Sequence, residues 1–202
     1  MSPACRPPVL IQLAAAGLAL SVAWNAAAQS EPPQHYGHRA YDEARAEELK
    51  PAGKYRDTGR VVQLAAPAAA AFKAMQKAAA SDGVKLVPIS GFRARDYQAG
   101  LFRRAVRRHG SEERAARWVA PPGYSEHHTG LALDIGDEAR RECDVELCFE
   151  KTPAHTWLQK NAARFGFELS FPGRESGPAF EPWHWRYIGD DASRTLFRER
   201  NP

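Results

Sequence analysis

Two short stretches hold residues that can do hydrolytic chemistry together. The first, Ser125-Glu126-His127-His128-Thr129-Gly130-Leu131-Ala132-Leu133-Asp134, offers two imidazoles and a carboxylate beside a glutamate. The second, Glu181-Pro182-Trp183-His184-Trp185-Arg186-Tyr187, adds a further imidazole and a spare glutamate. A catalytic zinc takes three protein ligands of the His, Asp or Glu kind and leaves its fourth position to water. His127, Asp134 and His184 make up such a set. Glu181, three residues before His184, has the chemistry of the base that takes the water's proton.

The spacing says what must position them. Asp134 follows His127 at a spacing of seven residues. On a helix that is about two turns and roughly 10 Å of rise, too far for both to bond one ion. On an unbroken strand an odd spacing sends the side chains to opposite faces. The sequence therefore predicts a loop at His127, a sharp turn at Gly130 and a strand carrying Asp134. Pro182 disfavours a helix beginning at Glu181, and the aromatic alternation from Trp183 to Ile188 reads as a strand. Trp183, Trp185 and Tyr187 then share one face, with His184, Arg186 and Ile188 on the other, and Glu181 sits at a bend ahead of them. A histidine beside aromatics is ordinarily a packed residue. His128 takes that reading, and His35, His38, His109 and His155 have no partner pattern.

A third segment supplies a cation. Ser90-Gly91-Phe92-Arg93 ends a predicted strand with an arginine at its tip. A fixed guanidinium stabilises the oxygen that becomes negative when an amide is attacked. For a lone arginine the competing reading is a salt bridge to a surface acid.

The elements around these segments are mixed. Leu64 to Ser81 is alanine-rich with apolar residues at helical spacing and stops at Asp82-Gly83; Arg95 to His109 and Thr152 to Phe165 read as further helices, the latter closed by Gly166. Val84–Ile89, Leu131–Ile135, Phe167–Phe171 and Trp183–Ile188 read as strands, and Tyr41–Lys50 as a short helix. Without regular β-α-β alternation the class is α+β. Along α-helical Arg95–His109, Arg103, Arg104, Arg107 and Arg108 form a basic face, which is either solvated or meets an anionic polymer.

At 202 residues the chain has room for one domain with a sizeable core. Residues 1–28 differ from the rest: Arg6 is their sole charge, an apolar run extends from Val9 to Val22, and Ala26-Ala27-Ala28 suits a signal peptidase. They read as a signal peptide, too short in its apolar run for a bilayer span, so the mature protein is expected in the periplasm or cell envelope without a membrane anchor. Residues 29–59 read as an N-terminal leader and 60–202 as the catalytic domain. Losing the signal removes Cys5 and one positive charge from the formal +4, a balance too small to indicate nucleic acid. Cys143 and Cys148 remain, an even pair in an exported chain, and are expected to form a disulfide. Oligomeric state leaves no trace in the sequence, and a monomer is the working expectation.

Ser125-x-His127-x-x-Gly130-x-Ala132-x-Asp134 and Glu181-x-Trp183-His184 resemble the two signatures of VanY-type zinc D-alanyl-D-alanine carboxypeptidases, within the wider LAS peptidase group. Ser90-Gly91-Phe92-Arg93 followed by Gln98 resembles that family's arginine motif. The resemblance runs from about Val61 to Asp190. It implies a small α+β domain whose central antiparallel sheet, flanked by helices, carries Zn2+ on His127, Asp134 and His184, with Glu181 as base. It also implies that Arg93 meets the substrate carbonyl and that Ser125 and Gln98 hold the substrate terminus, in peptidoglycan stem peptides. Ala94 departs from the serine often found there, and the Cys143–Cys148 loop looks like an insertion. The same motifs are compatible with an L,D-carboxypeptidase, a peptidoglycan endopeptidase or a non-catalytic wall-binding module.

Overall fold

The structure, a computed structural model, describes Met1, residues 34–173 and residues 177–198. Apart from Met1, the expected signal segment lies outside the described residues. The described chain opens with a hairpin of β1 (Gln34–His35) and β2 (His38–Arg39), followed by the antiparallel pair β3 (Leu49–Lys54) and β4 (Val61–Ala65). Helix α1 (Ala66–Ser81) leads to β5 (Leu86–Ser90), α2 (Arg95–His109) and α3 (Glu112–Ala116). Then come β6 (Ala132–Asp137), α4 (Pro153–Asn161), β7 (Phe167–Leu169), β8 (His184–Tyr187) and α5 (Asp191–Arg198).

The central sheet has the order β5-β6-β8-β7, with every neighbouring pair antiparallel. This is the α+β arrangement. All six residues of β6 are buried, because the strand has a neighbour on each edge and is covered on both faces. One face packs on α1, whose Ala68, Phe72, Met75 and Ala79 recur at helical spacing and are fully buried with Leu133, Ile135 and Phe167. Pro67 in the first turn of α1 costs no hydrogen bond there, since the first N–H groups of a helix have no intrahelical partner.

Some elements differ from the sequence reading. Tyr41–Lys50 is not a helix: a short 3-10 turn at Ala46–Glu48 runs straight into β3. Leu49 and Ala52 bury in the core, and pairing of Leu49 with Ala65 and Lys50 with Leu64 outweighs the local helical preference. That same pairing takes Leu64 out of α1. The segment from Thr152 is helical only to Asn161, then tightens to a 3-10 turn over Ala162–Phe165 that Gly166 closes. Cys143 and Cys148 are joined in a disulfide, with Cα atoms 5.3 Å apart. Among the described residues no helix is long and apolar enough to cross a membrane.

Candidate metal centre and active site

Sheet register builds the site. Asp134 of β6 pairs with Ser90 of β5 on one side and with His184 of β8 on the other. Residues opposite one another in antiparallel strands point to the same face, so these three form one polar row across the sheet. His127 arrives from outside the sheet, on a 3-10 turn at Glu126–Thr129 rather than an irregular loop. The turn ends at Gly130 in the left-handed conformation, φ 67°, and leads directly into β6. A Cβ at Gly130 would stand 2.9 Å from the Ala65 nitrogen, which donates to the Gly130 carbonyl, so the turn has no room for a side chain.

Hydrogen bonds decide which atoms face the centre. His127 Nδ1 donates to the Gly91 carbonyl at 2.7 Å, leaving Nε2 toward Asp134 Oδ1 at 3.4 Å. His184 Nε2 donates to Glu126 at 3.1 Å, leaving Nδ1 3.2 Å from Asp134 Oδ1 and 3.6 Å from Glu181. His127 Nε2 and Asp134 Oδ1 are buried without a hydrogen-bond partner. Orphaned polar atoms of this kind are costly in a protein interior. His127, Asp134 and His184 each offer a ligand atom within 4.8 Å of the others. That donor set fits zinc, which takes imidazole nitrogen and carboxylate oxygen.

Burial and neighbouring charges shift the protonation of each group in the cluster. Burial, with Arg93 nearby, pulls His127 down to about 4, so it is neutral at pH 7 with a free lone pair. Burial opposes charge on Asp134, but His127 and Arg93 hold its carboxyl well below the usual carboxylate range. Burial also pulls on His184, yet the carboxylates of Asp134 and Glu126 lift it to about 9. Glu181 is pushed up to about 7, chiefly by burial and against the pull of His184. A carboxylate poised near neutrality suits proton transfer.

The other expected residues gather at the same cavity, about 200 Å³ in volume. Arg93 pairs with Asp134 Oδ2 and donates from Nε to Ser90 Oγ at 2.9 Å, so its acid partner is the buried site carboxylate and not a surface one. Gln98 donates to the Ala120 carbonyl at 2.7 Å, and its Oε1 is buried without a partner. Ser125 precedes the 3-10 turn and lines the cavity with Arg93, Gln98 and Glu181. His128 is packed: Nδ1 donates to the Arg93 carbonyl at 2.6 Å and Nε2 accepts from the Gly123 N–H at 3.0 Å.

Sequence reasoning missed Glu126 and Arg186. Glu126 is buried between His184 and Arg186, whose Nη1 donates to it at 2.9 Å, and Arg186 continues to Glu168. The available signal was the alternation of β8, which puts His184 and Arg186 on one face, two cations that a buried acid could bridge.

Comparison with known proteins gives the same picture. The protein YodJ of Bacillus subtilis is 37% identical over 132 residues, 64% of this chain and 48% of YodJ. The chain spans about half the length of this curated relative. A solved structure of the LD-carboxypeptidase LdcB superimposes with a TM-score of 0.65 and 32% identity, covering 79% of this chain and 75% of that one. A variant of the vancomycin-resistance D,D-pentapeptidase VanY, solved in complex with Zn(II), superimposes with a TM-score of 0.58 and 26% identity over 84% of this chain and 89% of that one. The family model for VanY, D-alanyl-D-alanine carboxypeptidase, matches residues 61–190, which include the whole central sheet and all three residues of the metal cluster. The chain therefore belongs to the VanY family of D-alanyl-D-alanine carboxypeptidases.

Proposed function

We propose that this protein is a zinc-dependent D-alanyl-D-alanine carboxypeptidase that trims the C-terminal D-amino acid of peptidoglycan stem peptides. The observation that carries the reading is the buried cluster of His127, Asp134 and His184, with two orphaned ligand atoms and Glu181 alongside. Bound at His127 Nε2, Asp134 Oδ1 and His184 Nδ1, zinc would acidify a water and polarise the substrate carbonyl. Glu181, beside the cluster, would accept a proton from the attacking water on its carboxylate and return it to the leaving amine. Arg93, held by Ser90 and Asp134, presents its remaining N–H groups to the oxygen that gains charge. Ser125 and Gln98 line the cavity where the substrate terminus is held. Export by residues 1–28 places the protein in the cell envelope, as a monomer, where this substrate lies.

A second reading is an L,D-carboxypeptidase, favoured by the similarity to LdcB at 32% identity. Incubation with pentapeptide, tetrapeptide and cross-linked muropeptides followed by mass spectrometry separates the two. Loss of alanine from the pentapeptide alone supports the D,D reading, and shortening of the tetrapeptide supports the other. Cleavage of cross-links would indicate an endopeptidase, and three untouched substrates a binding module. Glu181→Ala is expected to abolish turnover while zinc content, measured by atomic absorption, stays at one ion per chain. Substantial residual turnover would remove Glu181 from the role of base. Chelation is expected to inactivate the protein and added zinc to restore it.

A further inference from the structure

The basic face of α2 has no part in the site described above. Arg104 and Arg108, four residues apart and so on one side of the helix, line a second cavity of about 520 Å³. This cavity adjoins the metal cavity: Leu101, Trp118, Val119, Val145 and Trp183 line both. Its other wall is the loop closed by the Cys143–Cys148 disulfide, through Val145, Glu146 and Leu147.

Three features mark the groove as a binding surface. Trp118, Val145 and Leu147 are 43%, 41% and 51% exposed, and few large apolar side chains elsewhere among the described residues are so uncovered. Val145 adopts φ 57°, a left-handed conformation that a β-branched residue rarely takes and that costs energy to hold. The disulfide-closed loop keeps it there, at the rim shared by the two cavities. Finally, Arg104 and Arg108 make no ion pair among the described residues, although acidic side chains are common on this protein. Glu146 lines the loop side, opposite the two guanidinium groups of the α2 wall. A polyanion with charge on every side fits poorly, whereas a peptide with carboxylates along one edge fits well.

We infer that this groove is a subsite for the part of an extended anionic peptide remote from the scissile bond. Its carboxylates pair with Arg104 and Arg108, and its apolar atoms lie on Trp118, Val145 and Leu147. The inference rests on the peptidase reading and adds what that reading lacks: a physical reason to prefer long acidic substrates over short ones.

The test uses the zinc-loaded protein and two peptides ending in D-Ala-D-Ala. One is a short N-acetylated peptide whose sole carboxylate is its terminus; the other is a pentapeptide with additional side carboxylates. The variants are Arg104→Ala/Arg108→Ala, the charge reversal Arg104→Glu/Arg108→Glu, and Arg103→Ala/Arg107→Ala as a control beside the groove. Two exposed ion pairs predict a rise in KM for the pentapeptide of about threefold to tenfold in the alanine variant, and more in the reversal. The value of kcat, and both constants for the short peptide, should not change, and the control should behave as the parent. The parent's KM for the pentapeptide should also rise with salt more steeply than the variant's. An unchanged pentapeptide KM, or an equal rise for both peptides, would overturn the subsite. If the parent cleaves neither peptide, the D,D-carboxypeptidase reading fails. Calorimetric binding of the pentapeptide then decides the groove by itself, weaker binding in the alanine variant supporting it and equal binding refuting it.

Discussion

Each histidine of the centre is aimed by a bond on its far nitrogen. The Gly91 carbonyl aims His127, and Glu126 aims His184. A partner of this kind fixes the tautomer and the ring plane, and losing it typically weakens metal binding about 10–100-fold. Glu126→Gln keeps an acceptor for His184 but removes the charge that also holds Arg186. Its zinc affinity should fall by roughly that factor, as measured by competition with a chromophoric chelator; parental affinity would show that Glu126 serves Arg186 alone. His128 makes a separate prediction. Burial lowers its pKa, and its Nε2 must stay unprotonated to accept from Gly123. A depressed folded pKa means the unfolded chain binds the proton more readily. The contribution of His128 to stability is therefore full above the unfolded value of about 6.5 and lost as pH falls below it. His128→Gln supplies one donor and one acceptor without titrating, so its unfolding temperature should fall less between pH 7 and pH 5 than the parent's. Parallel curves would exclude His128 from the acid response.

At the scale of elements, the 3-10 turn and β6 act as one device with Gly130 as its joint. Gly130→Ala would force φ 67° on a residue with a Cβ, 2.9 Å from the Ala65 nitrogen. A loss of roughly 1–3 kcal/mol is expected from the strain alone, and the turn carrying His127 should shift with it. Denaturant unfolding gives the first quantity and zinc stoichiometry the second. This joint was legible beforehand because His127 and Asp134 cannot serve one ion from either regular element. The face assignment of β8 was legible for the same reason, since alternation is local. What escaped notice depends on pairing between distant segments. Leu49 and Lys50, the start of β3, read as the end of a helix until Ala65 and Leu64 are set beside them, and Glu126 looks like filler until register places His184 and Arg186 over it. Arg93 was placed at the right tip, but its bond to Asp134 follows from β5 lying next to β6, which no spacing reveals.

For the whole molecule, the centre draws on chain positions as far apart as Ser90 and His184, whereas the disulfide joins residues with a sequence separation of only 5. A loop that small restricts the unfolded chain modestly, and reducing it should cost about 2 kcal/mol. A protein of this size would then melt roughly 4–8 °C lower, a shift that calorimetry with and without reductant can read. Zinc content should survive, because neither cysteine belongs to the metal cluster. An unchanged midpoint would mean that packing alone holds the loop. Register has a further consequence. Asp134 sits between Leu133 and Ile135, both completely buried, on a strand paired at both edges. A slip of one residue would turn Asp134 into the oily layer beneath the sheet and present Leu133 in its place. Such a chain could be compact and rich in β-structure and still have no grip on the ion. Zinc capture by a refolding chain would therefore report strand pairing, since Asp134 and His184 share one face only when β6 and β8 are in register.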